Sequence, residues 1–188
     1  MRRPYCAIAI CGFLVAPAFA VDSYTIDPLH SIPAFEFKHL GVTTQSGRFD
    51  KASGKAALDF ANKKGRVEFA IETASLNMGF GTETKKSPGY ILIKADKFPT
   101  ISFNSDKLIF DGDSVVAAEG QFTLLGVTKP LRVTVSHFRC APHPLTRKQV
   151  CAGDINAVIK RSEYGMTDYI PAISDEIKIS VPIEAYKN

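Results

Sequence analysis

The amino-acid sequence predicts an all-β protein whose single antiparallel sheet curls into a barrel. From Tyr24 to the end of the chain, apolar residues alternate with polar ones, which places every second side chain on one face of a strand. The apolar positions are rich in Phe, of which the chain has 13. The connections have hairpin length, so the predicted strands, about eight or nine, pair mostly antiparallel. Around eight strands close into a barrel that can hold one small ligand; a two-sheet sandwich is the alternative.

In the first half of the chain, proline and glycine residues separate the predicted strands. Pro28 ends the first strand, and Gly41 and Gly47 predict a turn region after the second. Residues 62–65, Asn-Lys-Lys-Gly, predict a hairpin turn between the third strand and the fourth. These strands are predicted over residues 24–27, 34–39, 55–60 and 66–72.

The second half of the chain begins with an irregular stretch. The alternation dissolves after Leu76, and residues 83–97 are predicted to form a short helical or irregular segment. Gly126 and Pro130 predict a turn, and the cysteine-containing residues 139–153 predict a loop. Strands are predicted over residues 100–103, 107–110, 115–124, 131–138, 154–160 and 176–186.

The first twenty residues predict a signal peptide. Arg2 and Arg3 supply its positive start, residues 5–15 supply an apolar run, and residues 18–20, Ala-Phe-Ala, fit the small-x-small cleavage rule. The apolar run is shorter than the roughly 20 residues that span a bilayer, which argues against an uncleaved membrane anchor. We therefore expect cleavage after Ala20 and an exported mature chain of residues 21–188, forming one domain.

The charge and hydropathy of this chain restrict its partners. Removing Arg2 and Arg3 lowers the formal charge from +4 to +2. The chain carries no basic stripe of the kind that binds phosphate backbones, so we expect no nucleic-acid partner. No second apolar segment approaches membrane-spanning length, so we expect no stable membrane insertion. A homodimer, formed through an exposed sheet edge or the segment around Tyr90, is an open alternative to a monomer.

The mature chain retains two cysteines, Cys140 and Cys151. An even pair in an exported chain predicts a disulfide bond. The alternative is a zinc site in which His137 and His143 join the two thiolates as ligands. The irregular spacing of these residues and the oxidising compartment argue against the metal, so no metal ion is expected.

An apolar barrel interior can bind a lipid without any fixed motif, because buried area holds the tail. His39 shares a strand face with two Phe residues and is either a ligand contact or a hydrogen-bonded core residue. Arg161 follows a predicted strand and is suited to pair with a phosphate or carbonyl head group, or with Asp168 or Glu163. The remaining candidates are inward-facing apolar residues that either line a cavity or form packed core: Phe35, Phe37, Phe49, Phe69, Ile71, Ile101, Phe103, Phe122 and Leu124.

The sequence carries no recognisable catalytic motif. It has no Gly-x-Ser-x-Gly nucleophile elbow, no His-Glu-x-x-His zinc helix and no Gly-rich phosphate loop. We therefore expect a binding protein that uses no cofactor besides its lipid ligand, and not an enzyme. Two alternatives stay open: an interaction or stress-response module with a merely structural barrel, and a hydrolase whose residues meet only in space.

An ordered series of motifs across residues 24–179 resembles one known family, the YceI-like polyisoprenoid-binding proteins. The matching segments read YTIDPLHS (24–31), FKHLG (37–41), GRF (47–49), TASL (73–76), FPTISF (98–103), GVTKP (126–130), IKRSEYGM (159–166) and DEIKI (175–179). In one place the sequence departs from the family: residues 83–87 read ETKKS where the family usually has an Arg-Asp-x-His-Leu run. This departure concerns the head-group preference of the site.

The resemblance implies a lipocalin-like barrel in an exported, usually periplasmic protein. It also implies a long isoprenoid or related lipid in the barrel cavity, for carriage, storage or sensing. A quinone, a polyprenyl phosphate and a fatty amide each combine a long tail with a small head, and the sequence alone does not choose among them.

Overall fold

The structure, a computed structural model, describes residues 21–79, 81 and 93–188. The predicted signal peptide lies outside the described residues, as do residues 83–92 of the predicted helical or irregular segment. Residues 93–97 of that segment include a turn, in which the backbone N–H groups of Lys97 and Phe98 both donate to the Lys94 carbonyl.

Eleven β-strands make up most of the described chain. Two short 3₁₀ turns, Thr73–Ser75 and Arg161–Tyr164, connect strands. The strands are β1 Asp22–Ile26, β2 Ala34–His39, β3 Thr43–Phe49, β4 Ala52–Asp59, β5 Lys64–Glu72, β6 Leu76–Asn77, β7 Thr100–Asp111, β8 Ser114–Leu124, β9 Val127–Pro142, β10 Gln149–Lys160 and β11 Glu176–Lys187.

Eight of these strands close into an antiparallel barrel, which confirms the predicted fold class. The order around the ring is β1-β4-β5-β7-β8-β9-β10-β11, and β11 pairs with β1 to close it. The closing register places Ile26 opposite Ala185 and Tyr24 opposite Lys187. Because neighbouring residues of each strand point to opposite faces, the alternation seen in the sequence fills the interior of the ring with apolar side chains.

The other three strands branch from the ring at β11. The early part of β11 pairs with β2 over three residue pairs, from Lys178 opposite Glu36 to Ser180 opposite Ala34. From there the sheet continues through β3 to the short strand β6. The β2–β3 hairpin therefore extends one wall of the barrel beyond the point where β10 ends and β11 begins.

Some predicted boundaries were wrong. Gly47 lies inside β3 and not in a turn, because its missing side chain makes room for its cross-strand neighbour: a Cβ atom there would lie 2.5 Å from Cζ of Phe35. The two segments predicted at 100–103 and 107–110 form the single strand β7. Its register with β8 shifts between Asn104 and Lys107, and this irregularity interrupts the alternation in the sequence.

Two predicted connections also prove to be strand. Pro130 lies inside β9 and pairs with Gln121 of β8. On its other side β9 has no partner here within the described part of the chain, because its pairing with β10 starts only at Thr134. A proline, which has no backbone N–H, is compatible with such an edge position. The predicted cysteine loop is a hairpin in which β9 continues to Pro142 and β10 begins at Gln149, so only residues 143–148 form a connection.

The disulfide prediction is confirmed. Cys140 and Cys151 lie directly opposite each other in the β9–β10 ladder, with an S–S distance of 2.00 Å. Because both sulfur atoms are used in this bond, the zinc alternative is wrong. His137, one of the two histidines of that alternative, instead places Nδ1 2.9 Å from Oδ2 of Asp154.

Replacing both cysteines with serine is expected to lower the free energy of unfolding by about 2.5–3 kcal/mol, because the open chain gains conformational freedom in the unfolded state. Urea unfolding of the oxidised wild type and of the double variant measures the difference. The reduced wild type serves as the control and is expected to match the variant. Equal stability of all three would mean that strand pairing alone sets the stability of this hairpin.

Candidate functional site

Two cavities lie inside the described part of the chain, and the larger of them lies between the end of the ring and the β2–β3 hairpin. We call it the outer chamber; its volume is about 430 Å³, and its wall is almost wholly apolar. A volume of this size falls within the range of about 300–1,000 Å³ that is usual for ligand pockets. Among the residues that the structure describes, the wall includes Pro33, Ala34, Phe35, Phe37, His39, Gln45, Phe49, Ile71, Leu76, Met78, Ile93, Ile101, Phe122, Leu124, Ile159, Arg161, Met166, Ile173, Ile177 and Ile179.

The outer chamber opens toward the tip of the β2–β3 hairpin. Along β2, Phe35 and Phe37 are half-buried whereas His39 is exposed, and Gln45 of β3 is exposed as well. His39, Gln45 and Ile173 therefore form the mouth of the outer chamber. His39 is not a hydrogen-bonded core residue, the alternative considered from the sequence, since the hairpin tip carries it beyond the end of the ring.

A second cavity lies deeper, inside the ring itself. We call it the inner chamber; its volume is about 140 Å³, and residues from all eight ring strands form its apolar wall. It is close in size to engineered apolar cavities of about 150 Å³ that stay dry and bind benzene. Phe69 and Phe103 face this chamber, at neighbouring positions of β5 and β7.

Three side chains border both chambers and separate them. Ile71 of β5, Phe122 of β8 and Ile179 of β11 come from strands spread around the ring. We call these three residues the partition. Tyr164 holds the ring of Phe122 by an edge-to-face contact, with ring centroids 5.6 Å apart and planes at 82°. Burial raises the pKa of the Tyr164 hydroxyl above 10.0, so this contact stays uncharged at neutral pH.

All eleven ligand-binding candidates from the sequence border at least one of the two chambers, and their role in binding stays a prediction. Only Phe69 and Phe103 are confined to the inner chamber, and Ile71 and Phe122 belong to the partition. The other seven border the outer chamber: Phe35, Phe37, His39, Phe49, Ile101, Leu124 and Arg161.

Arg161 borders the outer chamber, but its guanidinium is used mainly within the protein. The residue is 1% exposed, and its Nε, Nη1 and Nη2 groups donate four hydrogen bonds to backbone carbonyls. The predicted pairing with the side chain of Asp168 or Glu163 is wrong, because the bond to Asp168 goes to its backbone carbonyl. A contact between Arg161 and a lipid head group stays a prediction. The four acceptors are the carbonyls of Met166, Asp168, Ile173 and Ser174, at 2.7–3.0 Å.

These four bonds fix the loop 165–175, which supplies part of the chamber wall. Burial lowers the pKa of the Arg161 guanidinium from its ordinary value, while the charges of Asp175 and Asp168 oppose this shift. At the end of the loop, the Asp175 carboxylate accepts bonds from the backbone N–H and the hydroxyl of Ser162, both at 2.8 Å. The backbone bond is the main reason that the pKa of Asp175 lies below 3.8. Arg161 and Asp175 therefore hold the loop from both sides.

Sequence reasoning missed several residues of the outer chamber. Ile177 shares a face with Ile179 in the alternating pattern of β11, so the pattern itself could have identified it. Met166 and Ile173 lie in the loop 165–175, where no periodicity shows which side chains face inward. Met78 follows β6, a strand of only two residues that leaves no pattern to detect.

One group of side chains outside both chamber walls has the composition of a metal site. Asp27, His30 and Glu184 place one potential ligand atom each within 4.8 Å of one another. His30 Nδ1 lies 2.6 Å from Asp27 Oδ2, and this hydrogen bond is the main cause that lowers the pKa of Asp27 and raises that of His30. The group lies partly exposed, and an ordinary surface ion pair accounts for its geometry.

Comparison with known proteins identifies the family. A sequence profile of the YceI-like domain matches residues 24–185. The chain belongs to the YceI-like family. A UPF0312 protein of Vibrio vulnificus is 30% identical to it over 149 residues, which cover 77% of this chain and 78% of the relative. The resemblance found in the sequence motifs is thereby confirmed.

Solved structures share the YceI-like barrel. BcnA of Burkholderia cenocepacia superposes with a TM-score of 0.68 at 22% identity, covering 85% of this chain and 98% of BcnA. A polyisoprenoid binding domain from Saccharophagus degradans, implicated in plant cell wall breakdown, gives a TM-score of 0.60 at 15% identity, covering 88% and 98%. At these identities the likeness establishes the fold. Across residues 21–79, 81 and 93–188, we find no helix with the length and apolar character needed to cross a membrane.

Proposed function

We propose that this YceI-like protein binds one long-chain lipid, of the isoprenoid or a related class, with the tail in the outer chamber. The observation that carries the proposal is an apolar cavity of about 430 Å³ that opens at one end of the barrel. Each CH₂ group that leaves water contributes about 0.8 kcal/mol, so such a wall can hold a tail without any fixed motif. The polyisoprenoid binding domain of the Saccharophagus structure, which has the same fold, supports this ligand class.

The mouth is suited to a small polar head group. His39 and Gln45 are its polar side chains, and both are exposed. Arg161 contributes less to head-group binding than its charge suggests, because four of its five N–H donors are bonded to carbonyls. This mouth favours a head that hydrogen-bonds, such as a quinone, an amide or a hydrated phosphate.

The protein acts, in this proposal, as a binding protein and not as an enzyme, in an exported and oxidising compartment. The disulfide between Cys140 and Cys151 supports that compartment, since such bonds persist in exported proteins. The predicted signal peptide supports the same location. A role in carriage, storage or sensing follows from binding alone and requires no catalytic residues.

Native mass spectrometry of protein purified gently from the exported fraction tests the proposal. We expect an added mass that solvent extraction releases as a long-chain lipid. The variant Ile179→Trp is expected to lose most of that lipid, because the larger side chain fills the space at the partition. Lys178→Trp is the matched control, since its side chain is exposed on the neighbouring position of the same strand.

Two results would contradict the proposal. The first is a wild-type protein that carries no lipid and takes up neither a quinone nor a polyprenyl phosphate during incubation. The second is equal lipid retention by both tryptophan variants and the wild type, which would place the bound lipid outside the two chambers.

A further inference from the structure

We propose that four exposed apolar residues around the mouth form a surface that docks the protein on a lipid bilayer. The residues are Leu40 and Val42, at the tip of the β2–β3 hairpin, and Tyr169 and Ile170, in the loop 165–175; we call them the rim patch. Their side chains are between 39 and 78% exposed. This inference rests on the proposed lipid-binding function.

The rim patch is one continuous surface because its two segments are bonded to each other. The Leu40 N–H donates to the Ala172 carbonyl at 2.6 Å, and the Ser174 N–H donates to the Lys38 carbonyl at 2.9 Å. The Lys38 N–H in turn donates to the Ser174 hydroxyl oxygen at 2.9 Å. The hairpin tip and the loop therefore present their apolar side chains together.

The rim patch adjoins the mouth directly. His39 precedes Leu40 in the chain and pairs with Ile173 of the loop, and both residues form part of the chamber wall. A lipid tail that leaves a bilayer through this surface would pass from the apolar bilayer interior to the apolar outer chamber without crossing water. Because the rim patch is continuous with the outer chamber, we infer that the partner it binds is a lipid bilayer.

The backbone at two positions of the patch supports a role for their side chains. Leu40 and Tyr169 adopt positive φ angles of 53° and 64°. Bulky residues are uncommon in this left-handed region, where glycine or asparagine is usual. The chain thus carries two large, mostly exposed side chains at positions where a small residue would be more stable.

The chemistry of the patch indicates how it would associate with a membrane. None of the four side chains carries a charge, so burial of apolar surface is the expected driving force. A tyrosine suits such a surface, because its ring is apolar and its hydroxyl reaches the polar head-group region. Association is therefore expected to change little with ionic strength.

The experiment measures how fast the protein acquires lipid from two sources. One source is phosphatidylcholine vesicles that contain a polyprenyl phosphate, and the other is the same polyprenyl phosphate dispersed in detergent. Native mass spectrometry of the re-isolated protein follows the lipid-bound fraction over time. The double variant Leu40→Ser/Val42→Ser and the single variant Tyr169→Ser alter the two segments of the patch independently.

We expect the double variant to load from vesicles at least about tenfold more slowly than the wild type, and Tyr169→Ser to load more slowly as well. Equilibrium binding from detergent is expected to stay within about twofold, because the chamber wall is unchanged. Leu145→Ser is the matched control. Leu145 is 87% exposed but lies in the β9–β10 hairpin at the opposite end of the barrel, so its replacement is expected to leave both rates unchanged.

Several outcomes would overturn the docking proposal. Equal loading from vesicles by the wild type and both patch variants would do so, as would an equal slowing by Leu145→Ser. A wild-type dimer that the double variant converts to a monomer, with unchanged loading, would show that the patch binds a second copy of the chain. A wild type that acquires no lipid even from detergent would instead contradict the proposed function on which this inference rests.

Discussion

Replacing Arg161 with methionine is expected to lower the free energy of unfolding by about 3–5 kcal/mol. Methionine is apolar and of similar length, so it removes the four donors while it retains much of the packing. Four carbonyls of the loop 165–175, all in part-buried bonds with Arg161, then lose their hydrogen-bond partner. Urea unfolding followed by circular dichroism measures the loss, and the loop is expected to become more accessible to proteases.

Arg132→Met is the matched control for this substitution. Arg132 is about half exposed and forms a surface ion pair with Glu119 at 2.6 Å, so its loss is expected to cost at most about 1 kcal/mol. If Arg161→Met unfolds at the same urea concentration as the wild type but loses its lipid, then Arg161 acts on the head group and does not hold the loop.

Replacing Phe122 with alanine is expected to have two effects. The first is a loss of about 3–5 kcal/mol in the free energy of unfolding, because a buried aromatic side chain and its contact with Tyr164 disappear. The second is a shift of the bound lipid toward longer tails. Without Phe122 the partition opens, so the inner chamber of about 140 Å³ becomes continuous with the outer chamber of about 430 Å³. Native mass spectrometry after incubation with a chain-length series of isoprenoid quinones measures the tail preference.

Phe122→Leu and Phe110→Ala are the comparison variants for this prediction. Leucine retains part of the partition, so a small shift in tail length is expected even if the alanine variant unfolds. Phe110 lies on β7 and packs against Phe60, and it borders neither chamber. Its replacement is expected to reduce stability without any change in tail length. An unchanged preference in both Phe122 variants would mean that the partition does not limit the tail.

The alternation in the sequence was sufficient to predict the barrel and much of its interior. Ile71, Ile101 and Phe122 were identified because residues two apart in a strand face the same side, and ring closure then directs that side inward. The alternation did not predict which of the two chambers each inward-facing residue borders. Phe69 and Phe103 face the inner chamber because of the register between β5 and β7, and register depends on pairings distant in sequence.

The parts of the site that depend on loops were not predictable from the sequence. Met166 and Ile173 are held in place by the hydrogen bonds that Arg161 donates to their backbone carbonyls. Because every residue type has such a carbonyl, the sequence does not show which residues accept these bonds. Gly47 illustrates a related difficulty. By local sequence rules, a glycine at this position predicts a turn. In the structure, the missing side chain instead makes room for the Phe35 ring of the neighbouring strand, and this packing between strands is not visible in the local sequence.

The attachment of the β2–β3 hairpin has a consequence for local stability. Three residue pairs with β11 and a few bonds to the loop 165–175 join the hairpin to the ring, whereas β10 and β11 pair over eleven residues, from Val150 to Lys160. Structural units with few contacts open at lower free energy than the core to which they attach. Backbone amides of the hairpin should therefore exchange their hydrogens faster than those of the ring. We therefore expect one wall of the outer chamber to separate transiently while the barrel stays folded, so that a lipid tail bound there, as proposed, would be released without global unfolding.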